Sequence, residues 1–112
     1  MRVTSRTFDR EVLQSRVPVL VEFWASWCPP CKAMEPILHR LEREYEGRLK
    51  VATVNVDQNP RIAARYNVKG LPTFMIFKDG RVVWRSVAAK SEAELREVIE
   101  RVLRGEVVGK EP

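Results

Sequence analysis

The sequence predicts an α/β domain with a mixed sheet and helices on both faces, and three observations carry that expectation. First, "VPVLVEFWA" (17–25) is an almost unbroken apolar run of strand length, as a strand buried on both faces of a sheet requires. Second, this run and "LKVATVNVD" (49–57) are separated by a helix-length segment, the spacing of a parallel β-α-β unit. Third, the character changes after residue 72: "TFMIF" and "RVVWRSV" stand either side of "KDG", a hairpin signal, so these two strands run antiparallel.

The elements follow in order. A short strand before residue 7 opens the chain, and "FDREVLQS" is a short amphipathic helix. After the strand at 17–25, Met34, Ile37, Leu38, Leu41 and Tyr45 recur at three- and four-residue spacing and mark a helix from about Pro29 to Glu46, with Gly47 as its stop. Pro36 lies inside this helix and is expected to kink it. "NPRIAARY" starts another helix, with Asn59 as cap and Pro60 in the first position. Ser91 and Glu94 form a capping box for the last helix, whose apolar face is Leu95, Val98, Ile99, Val102 and Leu103, and Gly105 ends it. The expectation is a central mixed five-stranded sheet flanked by four helices, one domain over residues 1–105, with 106–112 as a frayed tail.

Composition narrows the class. A chain of 112 residues buries an adequate core without a disulfide. It has no run of 18 apolar residues and no apolar stretch behind its charged start, so neither a membrane span nor a secretory signal is expected, and a cytoplasmic protein is. The net charge is +5, and residues 61–90 concentrate it, with seven Lys/Arg against Asp79 alone. No aromatic-interleaved basic motif accompanies these cations, so they are read as a solvated surface and nucleic-acid binding is not expected.

Both cysteines lie in "EFWASWCPPCKAMEPIL" (22–38), two residues apart at the junction of a strand and a helix. Three chemistries use such a pair. A zinc site needs four ligands, and the single His39 is too far along the helix to complete one, which leaves only a metal shared between chains. A structural staple closing so small a loop gains little and does not suit a reducing cytosol. A redox centre needs a stabilised thiolate and a second thiol within reach. Cys28 is placed to cap the helix, where unpaired backbone N–H groups and the positive helix end favour an anion, and Cys31 lies one turn deeper. That makes Cys28 the nucleophile and Cys31 the resolving thiol. Glu22 interrupts an apolar run, a costly place for an unpaired carboxylate. Either it is a functional proton acceptor, or its side chain reaches solvent or a hydroxyl such as that of Thr53.

"VLVEFWASWCPPCKAMEPIL", "VNVDQNP", "YNVKGLPTFMIFKDG" and the closing amphipathic helix together resemble the thioredoxin family, over roughly residues 3–104. The chain departs from the family's common pattern at Pro29 (glycine), Glu22 (aspartate), Thr53 (lysine) and Ala88 (glycine). The resemblance implies the thioredoxin fold and a protein dithiol–disulfide oxidoreductase that reduces client disulfides, needs no cofactor, is regenerated by a reductase partner and is a monomer. It places Glu22 beneath Cys31 and implies a cis peptide before Pro72. Around the cysteines it implies a docking surface that includes Trp27, Pro29, Pro30, Gly70, Leu71 and Ala88. Trp24, Phe23, Phe74 and Phe77 are expected in the core. Two other readings remain open: an oxidase or isomerase of the same fold, and a binding or chaperone module whose dithiol is incidental.

Overall fold

The computed structural model of the protein describes residues 1–106 and 109–110. Its sheet is built from β1 (Val19–Trp24), β2 (Lys50–Asn55), β3 (Thr73–Lys78) and β4 (Arg81–Val87), in the spatial order β2-β1-β3-β4. β1 and β2 are parallel, whereas β1–β3 and β3–β4 are antiparallel. The two residues Gly109–Lys110 (β5) add a short parallel pairing along β4 at Trp84 and Arg85.

The strand expected before residue 7 does not form. Arg2 makes one isolated bridge to Thr53, after which Thr4 turns the chain by accepting the amides of Thr7 and Phe8. That turn leads directly into a π-helical turn, Asp9–Leu13. The body of the sheet therefore has four strands where five were expected. The expected tail falls partly on 107–108 and 111–112, outside the described residues.

Helices cover both faces, as the continuous burial of β1 and β3 demands. On one face Leu20, Phe74, Ile76 and Trp84 pack against Leu38, Leu41 and Tyr45 and against Leu95, Val98, Ile99 and Val102. These belong to, or directly follow, α2 (Glu35–Glu44) and α4 (Glu92–Leu103). On the other face Val19, Val21, Phe23, Met75 and Phe77 meet Phe8 and Val12 of the N-terminal segment and Ile62 of α3 (Pro60–Arg65). Phe23, Phe74 and Phe77 are core residues, as expected.

The long helix expected over 29–46 is two helices, α1 (Pro29–Ala33) and α2, joined at Met34. Pro36 lacks the N–H that would bond the Lys32 carbonyl, so the ladder breaks one turn before it. The hairpin between β3 and β4 turns through Asp79 and Gly80, both at positive φ (52° and 79°), the geometry that matches strand twist. Ser91 and Glu94 form the full reciprocal capping box. Asn59 sits at the N-cap of α3 but does not cap it. Its Oδ1 instead accepts the Ser5 amide at 3.0 Å and its Nδ2 donates to the Asn55 carbonyl at 3.0 Å, so it ties the N-terminal segment to the end of β2.

Candidate active site

Strand register assembles the site. Trp24 at the end of β1 lies beside Asn55 at the end of β2, while Phe23 pairs with Thr73 at the start of β3, and Thr73 pairs with Val87 at the end of β4. The segments after β1, after β2, before β3 and after β4 therefore emerge at one edge of the sheet. They carry Trp27–Cys31, Asp57, Gly70–Pro72 and Ala88.

Cys28 and Cys31 are joined as a disulfide with their Cα atoms 5.3 Å apart. Cys28 is the N-cap of α1, in extended conformation, and its Sγ accepts the amide of Cys31 at 3.3 Å. Pro29 and Pro30 occupy the first helical positions, are exposed, and have no N–H to offer. Both cysteines are buried, Cys31 the more deeply. Trp27 is 66% exposed, yet its indole is fixed by Nε1 donating to Asp57 Oδ2 at 2.8 Å.

The Leu71–Pro72 peptide is cis, as expected, and Pro72 is buried. Its carbonyl accepts the Ala88 amide at 2.8 Å. Thr73 Oγ1 donates to the Gly70 carbonyl at 2.6 Å and closes the turn between them. A Cβ on Gly70 would stand 2.9 Å from Val87 Cγ1, so a larger residue there would have to push the Val87 side chain aside. Ala88 has φ +89°, a conformation that favours glycine, so its backbone is strained. Leu71 is half-buried, Ala88 is exposed, and Val87 next to it is 49% exposed. Trp27, Pro29, Pro30, Gly70, Leu71 and Ala88 all stand on the segments that meet at this edge.

Glu22 is 3% exposed, and its Oε2 has no hydrogen-bond partner among the described residues. Burial, reinforced by the carboxylate of Glu35, pushes its pKa up to about 8. No hydrogen bond joins Glu22 to Thr53 among the described residues, and the residue keeps only a small exposed fraction. Glu22 and Cys31 together line a cavity of about 290 Å³ with Trp24, Thr53, Glu35 and His39. Trp24 is only partly buried and its Nε1 is a second orphaned polar atom, so it is a cavity wall rather than the core residue expected. Among the described residues no group of three or more His, Cys, Asp or Glu side chains is placed to hold a metal ion.

Sequence reasoning passed over Asp57 and Glu35. Glu35 was legible in principle, because Cys31, Glu35, Leu38 and Glu42 recur at the spacing of one helix face. Asp57 could not be paired with Trp27 until the β1–β2 register was known.

The thioredoxin family model matches residues 1–101. The chain is 45% identical to thioredoxin 1 of Nostoc sp., over 91% of this chain and 95% of that protein. It is 43% identical to thioredoxin 1 of Synechococcus elongatus, over 90% and 94% of the two chains. It is 44% identical to a thioredoxin of Pseudomonas aeruginosa, over 85% and 88%. With this extent of likeness and a Cys28–Cys31 pair at the head of a helix, the chain belongs to the thioredoxin family of dithiol–disulfide oxidoreductases.

Proposed function

We propose that the protein is a general reductant of client protein disulfides, with Cys28 as the attacking thiolate, Cys31 as the resolving thiol and Glu22 as the acceptor of the Cys31 proton. The observation that carries this reading is the asymmetry of the pair. Cys28 Sγ sits at a helix N-terminus accepting an amide, whereas Cys31 lies deeper and shares a cavity with a buried, unpartnered carboxyl.

The reaction follows from that asymmetry. The Cys28 thiolate attacks a client disulfide and releases one client thiolate. Cys31 gives its proton to Glu22 and attacks the Cys28 sulfur, which frees the second client thiolate and closes the Cys28–Cys31 disulfide. An extended client segment docks on Trp27, Pro29 and Pro30, with Gly70, Leu71 and Ala88 opposite and Pro72 against the cysteines. A disulfide reductase partner returns two electrons and restores the dithiol. The two prolines support a reducing rather than an oxidising role. With no N–H at Pro29 or Pro30, the Cys31 amide is the hydrogen bond that Cys28 Sγ receives among the described residues. A thiolate with one such donor is held less firmly than one with several, which favours the disulfide form and makes the dithiol a better donor of electrons.

The protein is proposed to work as a cytoplasmic monomer without nucleic-acid partners. Among the described residues no helix is long and apolar enough to cross a membrane. Part of the basic 61–90 surface has a structural use, since Arg85 donates to the carbonyls of Tyr66 and Asn67 at the end of α3 and Arg65 pairs with Asp9.

Two measurements test the reading. Insulin precipitation with dithiothreitol is expected to accelerate in the presence of the protein; no acceleration would leave only a binding module. Equilibration with glutathione is expected to give a reducing potential, in the range of about −270 mV known for thioredoxin. A value near that of the strongly oxidising members of the fold would make the protein an oxidase instead.

A further inference from the structure

Glu22 has an unusual set of neighbours. The cavity that it shares with Cys31 runs between β1, β2 and the N-terminal half of α2. From α2 it is faced by Glu35, His39 and Glu42, which lie on one helix face. From the N-terminal segment it is faced by Arg2 and by Met1, and from β2 by Thr53, which carries no charge. The Met1 ammonium is occupied by the Val51 carbonyl at 2.9 Å and by Glu42 Oε2 at 3.4 Å. Glu35 is exposed and has no hydrogen-bond or ion-pair partner among the described residues. The orphaned Glu22 Oε2 and Trp24 Nε1 belong to residues on the cavity wall, and a cavity of about 290 Å³ with such polar groups on its wall has room for several waters.

We propose that Glu35 is a positioning residue for the resolving step: from across this cavity it controls when Glu22 is free to take the Cys31 proton. The inference rests on the reading of Glu22 as proton acceptor. Before Cys31 can act, Glu22 must release its own proton through the cavity to solvent. Cys31 then transfers its thiol proton to the Glu22 carboxylate, the Cys31–Cys28 bond forms, the Cys28–client bond breaks, and the electron pair leaves on the client thiolate, which is protonated by water. A second carboxylate beside the cavity opposes the first of these events, because it adds like charge to a site that already penalises ionisation. Burial and Glu35, in that order, are what raise Glu22, and neither Arg2 nor the occupied Met1 ammonium offsets them. Glu35 thus holds the acceptor in its acid form and restrains resolution at neutral pH, leaving initial attack by Cys28 untouched.

The test is single-turnover reduction of a saturating disulfide peptide, with release of the second peptide thiol followed from about pH 5 to pH 9. In the unaltered protein the rate is expected to rise with pH through about 8. Glu35→Gln is expected to move that rise to lower pH and to speed resolution severalfold at pH 7, with the rate of initial attack unchanged. Glu35→Asp is expected to return the profile toward that of the unaltered protein. Glu22→Gln, run in parallel, separates the two ideas. If it abolishes the pH dependence while Glu35→Gln leaves the midpoint in place, or slows resolution at pH 7, Glu35 has no such role and Glu22 remains the acceptor. If the pH dependence survives in Glu22→Gln, the acceptor reading and the role of Glu35 fall together.

Discussion

The chemistry of this protein turns on how differently two identical side chains are held. Cys28 heads α1 and receives a backbone amide, and Cys31, three residues on, faces Glu22 across a cavity. Cys31→Ser is therefore expected to accumulate stable mixed disulfides through Cys28, and Cys28→Ser to be inert toward client disulfides. Iodoacetamide labelling of the reduced protein near pH 7, read by mass spectrometry, checks the assignment, and preferential labelling of Cys31 would reverse it. At Ala88 the cost is in the backbone. An alanine at φ +89° is strained, but its amide is held by the Pro72 carbonyl. Ala88→Gly relieves the strain against a smaller loss in unfolded-state entropy, so a net stabilisation of about 1 kcal/mol is expected in urea unfolding. Destabilisation would mean that the alanine methyl makes a packing contribution larger than its strain.

At the scale of elements, α1 is a five-residue helix whose first two positions, Pro29 and Pro30, offer no N–H and whose C-terminus is cut off by Pro36. It serves to present Cys28 and Cys31 rather than to bury a large face. Pro30→His restores one N–H and adds an imidazole beside Cys31, both of which stabilise the Cys28 thiolate. The variant is expected to be more oxidising at equilibrium with glutathione and to have a lower Cys28 pKa; an unchanged or more reducing potential would refute the argument from the prolines. α4 is the contrasting case, a twelve-residue helix with a complete capping box and four buried residues on one face. Ser91→Ala is expected to cost about 1 kcal/mol of stability, measured by thermal or urea unfolding, without changing the reduction rate.

For the whole molecule, the buried carboxyl of Glu22 ties stability to pH. Its pKa is about 8 in the fold against 4.5 when unperturbed, so between those values the folded state binds a proton that the unfolded chain has released. Stability from this group is fully present below about pH 4.5 and is lost as pH rises toward 8, by a few kcal/mol in all. Glu22→Gln removes that loss. The variant is expected to gain in urea midpoint over the unaltered protein as pH is raised from about 5 to about 9, and a gap that stays constant with pH would show that Glu22 is not buried in its charged form. Glu11, Glu44, Glu92 and Glu106 shift the opposite way, lowered first by hydrogen bonds to Lys50, Arg96, Arg40 and Arg104, and they act only as pH falls through the carboxylate range. The α2–α4 layer is closed by Tyr45, whose hydroxyl donates to Glu100 Oε2 at 2.6 Å; burial and that bond push its pKa up to about 12.

Most of the architecture is legible in the sequence, because the physics behind it is local. A strand buried on both faces must be apolar throughout, a helix must show its 3.6-residue period, and Ser91–Glu94, Asp79–Gly80 and Gly47 are caps and turns that few other residues can make. The position of Cys28 at the head of a helix was readable for the same reason. Pro36 marks a disturbed helix in the sequence, whereas the division into α1 and α2 shows only in the structure. What tertiary structure decided is whatever depends on register between distant segments. The Arg2–Val3 segment meets Thr53 for one bridge only, since Thr4 turns the chain away. Asn59 abandons its cap because Ser5, 54 residues away, offers its amide. Trp27 is fixed by Asp57 only because β1 and β2 run side by side. The sequence marks Glu22 as a misplaced carboxyl and puts Glu35 on the helix face of Cys31, but the cavity beside Glu22, its orphaned oxygen and the approach of Glu35 to it appear only when β1, β2 and α2 are packed together. Burial and like charge are properties of the assembled interior, and no local pattern encodes them.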